Sequence, residues 1–255
     1  MDENRLDSFE EVAVRACDAA GEYLVSAFET ESLAAEHGPD DVKALADRAA
    51  ERRVLDVLNE AYPDHAIYAE ESGRQSGAAD YRWVVDPLDG TNNFCSGIPY
   101  FGTALALLRD GVPILAVIRD PLHDHTYVAR RDGGVTLNGE PIRAESEVAS
   151  DHATVAFVLG LDAVRDEALR ATADALNAEI EGRCKRVWTS WAPALDWGLL
   201  ARGKIEAVVC FHPDEVEQHA GWLLAEESGA RLTSEDDLFL AAASDGTFET
   251  LETLF

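Results

Sequence analysis

The hydrophobic positions change period along the chain, and each change marks an element. Phe9, Val12, Ala16, Ala20, Leu24 and Phe28 recur at helical spacing, the stripe of an amphipathic helix. Ser8, with Glu11 three residues on, fits a capping box at its start. His37-Gly38-Pro39-Asp40 breaks the pattern. A second helix is expected over residues 41–61, carrying Leu45, Ala49, Leu55 and Leu58 and stopped by Pro63. From residue 66 the period shortens. Residues 66–69 and 81–85 read as strands, and 102–108 with 112–118 as a hairpin around Asp110-Gly111. Residues 125–130 and 135–137 continue an antiparallel meander. Beyond Asp151, strands (153–159, 184–188, 205–211 and a final one at 238–243) alternate with helices (163–176, 193–202, 215–227). That alternation argues a layered α/β half. The expected fold is an α+β or α/β layered sandwich, with a soft boundary dividing 1–150 from 151–255. No flexible linker marks the boundary, so the halves are expected to pack as one unit.

Candidate chemistry gathers where the strand at 81–85 meets Asp86-Pro87-Leu88-Asp89-Gly90-Thr91-Asn92-Asn93-Phe94. Proline fixes φ and lacks an N–H, so the chain is expected to leave the sheet there. Asp86 and Asp89 can share one hard cation, with the Leu88 carbonyl as a third oxygen ligand. The N–H groups of Gly90 and Thr91 at a helix start can take a phosphate oxygen. The strand before this one also ends in a carboxylate, Glu70, followed by Glu71-Ser72-Gly73. Two neighbouring strands ending in carboxylates can aim them at one point. His123-Asp124-His125 reads instead as a surface turn, because magnesium prefers oxygen ligands and no third histidine lies near.

The string from Asp86 to Phe94 resembles the D-P-(I/L)-D-G-T-x-N-F signature of the inositol monophosphatase family. That family belongs to the lithium-sensitive, magnesium-dependent phosphatases, which include fructose-1,6-bisphosphatases. The resemblance extends over roughly residues 5–250 by position matching. It implies an αβαβα layered fold and a metal-dependent phosphomonoesterase. Glu70, Asp86, Leu88 (through its carbonyl), Asp89 and Glu217 would hold two magnesium ions, and a third is allowed. Asp47 and Thr91 would orient the attacking water, with Glu70 joining them in catalysis, and Gly90 and Thr91 would hold phosphate. The expected substrate is a small polyol or sugar phosphate. Fructose 1,6-bisphosphate and 3′-phosphoadenosine 5′-phosphate are the alternatives, and a homodimer is the expected assembly.

Departures from the pattern fall mainly in the second half. Trp191-Ala192 stands where the family has Gly-Ser or Gly-Thr. Cys210 replaces an acid that binds inositol hydroxyls, and Glu217 replaces an aspartate ligand. Trp191, Ala192 and Cys210 are therefore the candidate substrate-selecting positions. His219 reads as a helix-surface residue, and Lys43 stands where a small hydroxyl residue is common. These departures keep a rival in play, a non-catalytic binding or regulatory protein on the same fold.

Composition narrows the partners. Net charge is −28, from 49 acidic against 21 basic residues, which argues against nucleic acid or an anionic membrane. Lys43, Lys185 and Lys204 are the lysines, and so acidic, lysine-poor a chain reads as adapted to high salt. Cys17, Cys95, Cys184 and Cys210 are scattered, without a C-x-x-C, which suggests a reducing compartment. An acidic N-terminus without an apolar h-region and the lack of a membrane-length apolar run lead to the expectation of a cytoplasmic protein.

Overall fold

The computed structural model describes residues 3–30, 35–37 and 42–255. The elements in order are α1 (Glu3–Glu29), β1 (Ala35–His37), β2 (Val42–Ala44), α2 (Leu45–Ala61), β3 (Ala66–Ala69), β4 (Gly73–Gln75) and β5 (Tyr81–Asp89). Then come α3 (Thr91–Cys95), β6 (Gly102–Arg109), β7 (Val112–Asp120), β8 (His125–Arg130), β9 (Gly134–Leu137) and β10 (Glu140–Ile142). The second half supplies β11 (Thr154–Leu159), α4 (Leu161–Arg165), α5 (Glu167–Glu181), β12 (Arg186–Trp188), α6 (Pro193–Ala201) and β13 (Ala207–Phe211). It closes with α7 (Glu215–Ser228), β14 (Arg231–Glu235), β15 (Leu238–Ala242) and α8 (Asp245–Leu251).

Two mixed sheets carry the fold, an eight-stranded one in the order β10-β9-β8-β7-β6-β5-β3-β4 and a five-stranded one in the order β12-β11-β13-β15-β14. Helices α6 and α7 lie between them and contact both sheets. Helices α1 and α2 cover the outer face of the larger sheet, and α5 and α8 that of the smaller. The result is an αβαβα layered sandwich, as the sequence leads one to expect. The middle layer is close-packed because the helices carry small residues where neighbours press. A Cβ on Gly221 would stand 2.1 Å from the Trp197 indole, and one on Gly198 would stand 2.8 Å from the Tyr127 ring. The core on this side runs from Val84, Ala106 and Ile118 of the large sheet through Trp197 and Leu223 to Val208 of the small one.

Several expectations change on contact with the structure. Helix α1 begins at Glu3, so Ser8 is an interior residue whose hydroxyl meets the Tyr62 hydroxyl at 2.9 Å, and it caps nothing. Helix α2 begins at Leu45, after a short strand, whereas the hydrophobic stripe had suggested 41. The expected break at His37-Gly38-Pro39-Asp40 lies outside the described residues from Gly38 on. The expected helix at 163–176 is two, interrupted at Asp166, which caps α5 by accepting from the N–H groups of Ala168 and Leu169. Strand β14 went unread because its residues alternate without an apolar face, and β15 is followed by α8. The largest change concerns Pro87, because the chain does not leave the sheet there. Strand β5 runs on to Asp89, and its pairing with β6 slips between Asp86 and Asp89, a bulge that accepts a residue without an N–H. The bulge is held from both sides. The Leu88 N–H donates to Asp86 Oδ1 at 3.1 Å, and the buried Thr103 hydroxyl donates to the Pro87 carbonyl at 3.0 Å.

Candidate active site

Strands β3 and β5 run parallel, the one parallel pair in the large sheet, with Ala69 opposite Val85. The next residue on each strand is therefore a carboxylate, and Glu70 comes to lie beside Asp86. The Glu70 N–H donates to the Val85 carbonyl at 3.2 Å, which locks that juxtaposition. Past the bulge, Asp89 turns inward, buried, and accepts from the Ala194 N–H at 2.8 Å. That N–H lies in the first turn of α6 and lacks an intrahelical partner, so a residue of the first half caps a helix of the second. Gly90 follows at φ 89, a left-handed conformation, and a Cβ there would stand 2.9 Å from the Ala192 Cβ. Glycine is required on both counts.

Asp47 arrives from the first turn of α2, buried at 2 % exposure. The Thr91 hydroxyl lies 3.1 Å from Asp47 Oδ1 and 3.0 Å from the Leu88 carbonyl, so its proton is directed to these acceptors. Its lone pairs stay available to a water. One helical turn beyond Asp47 stands Glu51, also buried, whose Oε2 accepts from the N–H groups of Glu71 (2.8 Å) and Ser72 (3.3 Å). Glu51 thus fixes the turn that carries Glu70. Sequence reading missed it, although the four-residue step from Asp47 placed both on one face of the helix.

Glu70, Asp86, Leu88, Asp89, Gly90 and Thr91 line one end of a cleft of about 450 Å³. Glu70, Asp86, Asp89, Asp174, Asp196, Asp214 and Glu215 line it, with Arg170 the one basic side chain among the lining residues. Glu70 is open to the cleft but crowded by protein. Burial first, and then the charges of Asp86, Asp47 and Glu71, push its pKa well above the usual carboxylate range, and it shares a hydrogen bond with Asp86. No cation is among the groups acting on it. Among the described residues no three His, Cys, Asp or Glu side chains converge on one point as metal ligands. The donor set nevertheless fits magnesium: it is hard oxygen throughout, and like charges are gathered where they destabilise one another until a cation joins them.

The opposite wall comes from the second half of the chain. Trp191 lines the cleft with half of its surface exposed, whereas Ala192 is buried beneath it. Cys210 is buried within β13 and is not among the lining residues. Glu217 lies in the first turn of α7, and its side chain is outside the described residues. Its neighbour Glu215 lines the cleft and pairs with Arg74 and Arg82, each at 3.0 Å. His219 is half-buried, not on the surface as expected; burial lowers its pKa, and its Nε2 lies 3.6 Å from Glu215. His123 is exposed and bonds Asp120 at 2.9 Å, the surface turn that its spacing suggests.

Asp196, which sequence reading did not single out within the helix expected at 193–202, organises this wall. It is fully buried and accepts from the Ser190 hydroxyl (2.6 Å), the Tyr100 hydroxyl (3.0 Å) and the Trp188 indole N–H (3.0 Å). Burial pushes its pKa up to about 7, against the opposing pull of those three bonds. The Ser190 hydroxyl in turn accepts from the Ala192 N–H at 3.0 Å, and Asn93 of the signature donates to the Ser190 and Tyr100 carbonyls at 2.7 and 2.8 Å.

The model of the inositol monophosphatase family matches residues 5–246. The Nus factor SuhB of Pseudomonas aeruginosa is 34% identical over 225 residues, covering 86% of this chain and 82% of that protein. The solved structure of the extragenic suppressor protein suhB from Bartonella henselae superposes with a TM-score of 0.88 at 25% identity, covering 97% of this chain and 98% of that one. The inositol monophosphatase from Anabaena superposes at 0.82 and 27% identity, covering 98% of this chain and 96% of that one. The designation of the Pseudomonas relative as a factor stands in some tension with the expectation of no nucleic-acid partner. Among the described residues no helix is long and apolar enough to cross a membrane. A match over nearly the whole length, with the signature set on a strand bulge between two packed sheets, leads to one conclusion: this chain belongs to the inositol monophosphatase family.

Proposed function

We propose that the protein is a magnesium-dependent phosphomonoesterase acting on a small phosphate ester, with polyol and sugar phosphates as the leading class. The observation that carries this reading is the acidity of the cleft: among the described residues, seven carboxylic side chains against one arginine would repel a phosphate unless cations intervene. Glu70, Asp86, the Leu88 carbonyl, Asp89 and Glu217 would hold two magnesium ions, or three, and these would supply charge neutralisation and an acidified water. Asp47 and Thr91 would orient the attacking water: the threonine hydroxyl directs its proton to Asp47 and the Leu88 carbonyl, which leaves its oxygen to accept from the water. Asp47 is the acceptor for the proton lost as water attacks phosphorus. The bond from phosphorus to the alcohol oxygen breaks, and the alcohol leaves with a proton from solvent. The Gly90 and Thr91 N–H groups would hold a phosphate oxygen.

A second reading, a non-catalytic binding protein, is favoured by the name of the Pseudomonas relative and by the departures at Trp191, Cys210 and Glu217. Phosphate release from inositol, sugar and nucleotide phosphates, with magnesium or with chelator, at low and high potassium chloride, decides between them. Magnesium-dependent release is expected. No release from any ester at either salt would leave the binding reading in its place.

A further inference from the structure

Resting on the phosphatase reading, we infer that the alcohol half of the substrate carries a planar, unsaturated ring that stacks on Trp191. Trp191 sits at φ 60, in the left-handed region that bulky side chains avoid. The surroundings force it there. Ser190 is tied to Asp196 and Asn93 on one side, and Ala192 is tied to Ser190 and followed by Pro193 at the start of α6 on the other. A strained backbone held this firmly marks a position whose side chain is being presented. The indole is presented to the cleft: it is 51% exposed and lines the same space as Glu70, Asp86 and Asp89.

The rest of that space matches a ring better than a polyol. Besides the carboxylates and the hydroxyls of Thr189 and Ser190, that space is lined by Phe157, Leu159, Leu161 and Val216, and hydroxyls set against those four side chains would lose their hydrogen bonds to water without replacement. Polar groups return at the edge. Arg170, Asp174 and Asn177 lie on one face of α5 at helical spacing, with Arg170 and Asp174 paired at 3.1 Å. The occupant is thus an apolar face with a polar rim, as in a heteroaromatic ring. An indole takes such a ring in an offset stack that a saturated ring of equal size cannot match.

The test is binding, so that it does not depend on turnover. Titration calorimetry with magnesium present would compare phenylpropylphosphonate, a non-hydrolysable ester mimic, with its cyclohexylpropyl counterpart. The aromatic ligand is expected to bind at least about fivefold more tightly, the lower end of what stacking on an aromatic side chain contributes. Trp191→Gly removes the platform while relieving the backbone, since glycine accepts the positive φ. It should abolish the preference, and Trp191→Phe should retain most of it. Equal affinity for the two ligands, binding of neither, or a preference surviving in Trp191→Gly would each overturn the inference. The phosphatase reading is judged separately, by phosphate release from phenethyl phosphate: release without an aromatic preference removes the ring and keeps the enzyme.

Discussion

On one wall of the cleft, Glu70, Asp86 and Asp89 come from the end of β3 and the bulge of β5, with Asp47 of α2 bonded to the neighbouring Thr91 hydroxyl. On the other, residues 189–193, the flanks of β11 and α7 and one face of α5 present an indole, aliphatic side chains and a single arginine beside Asp174, Asp196, Asp214 and Glu215. From Asp86 to Phe94 the first wall follows the family signature, whereas the second departs from the family at Trp191. Two carboxylates with raised pKa values differ in the same way. Glu70 is crowded by other carboxylates, while Asp196 is surrounded by three donors. A charge surrounded by charges of its own sign is poised for a cation, and a charge surrounded by donors holds a loop in place. In the reading proposed here, one wall therefore carries the reaction and the other selects the substrate.

The contrast can be broken most directly at Asp89. Asp89→Asn keeps the side chain's size and removes its charge, and phosphate release at saturating ester should fall by at least about a hundredfold, the upper end for partners of bound metals. Full activity in that variant would sink the metal assignment. Asp196 tests the opposite wall through stability. Its folded pKa is raised from 3.8 to about 7, so its contribution is greatest below pH 4 and is lost as pH rises towards 7. Wild type should therefore lose stability relative to Asp196→Asn across that window, by up to a few kcal/mol at about 1.4 kcal/mol per pKa unit. Urea denaturation of both proteins at several pH values measures the gap, and a gap independent of pH would show the carboxylate to be ionised throughout. The smallest effect is expected at Glu217. Glu217→Gln should raise the magnesium needed for half-maximal rate by about tenfold, and superimposable titrations would take it off the list of candidate ligands.

How much of this was legible follows the range of the interactions. The signature lies within nine consecutive residues, Asp86 to Phe94, and β3 beside β5 was readable because both strands end in a carboxylate. The meander was readable from its period and from Asp110-Gly111, which adopts positive φ at both positions. What escaped depends on partners far along the chain. Glu51 is an ordinary acidic helix residue until Glu71 and Ser72 return to it, and Asp196 is unremarked until Tyr100 reaches it from 96 residues away. Pro87 misled because its missing N–H excludes regular pairing but not a bulge, and a bulge is visible only in the register with β6. Ser8 misled because a capping pattern inside a longer helix has the same letters as one at its start.

The middle layer has a consequence for synthesis. The part of the large sheet's apolar inner face that β5 to β8 contribute, including Val84, Ala106, Ile118 and Tyr127, is complete in sequence by Arg130, yet the helix residues that cover it, Trp197, Ala220 and Leu223, are translated much later. At about 5–20 residues per second, the ribosome needs roughly five to twenty seconds to bridge that gap. Throughout it, the nascent chain carries a finished hydrophobic surface with no partner, and until α7 emerges that surface is open to chaperones or to another unfinished chain.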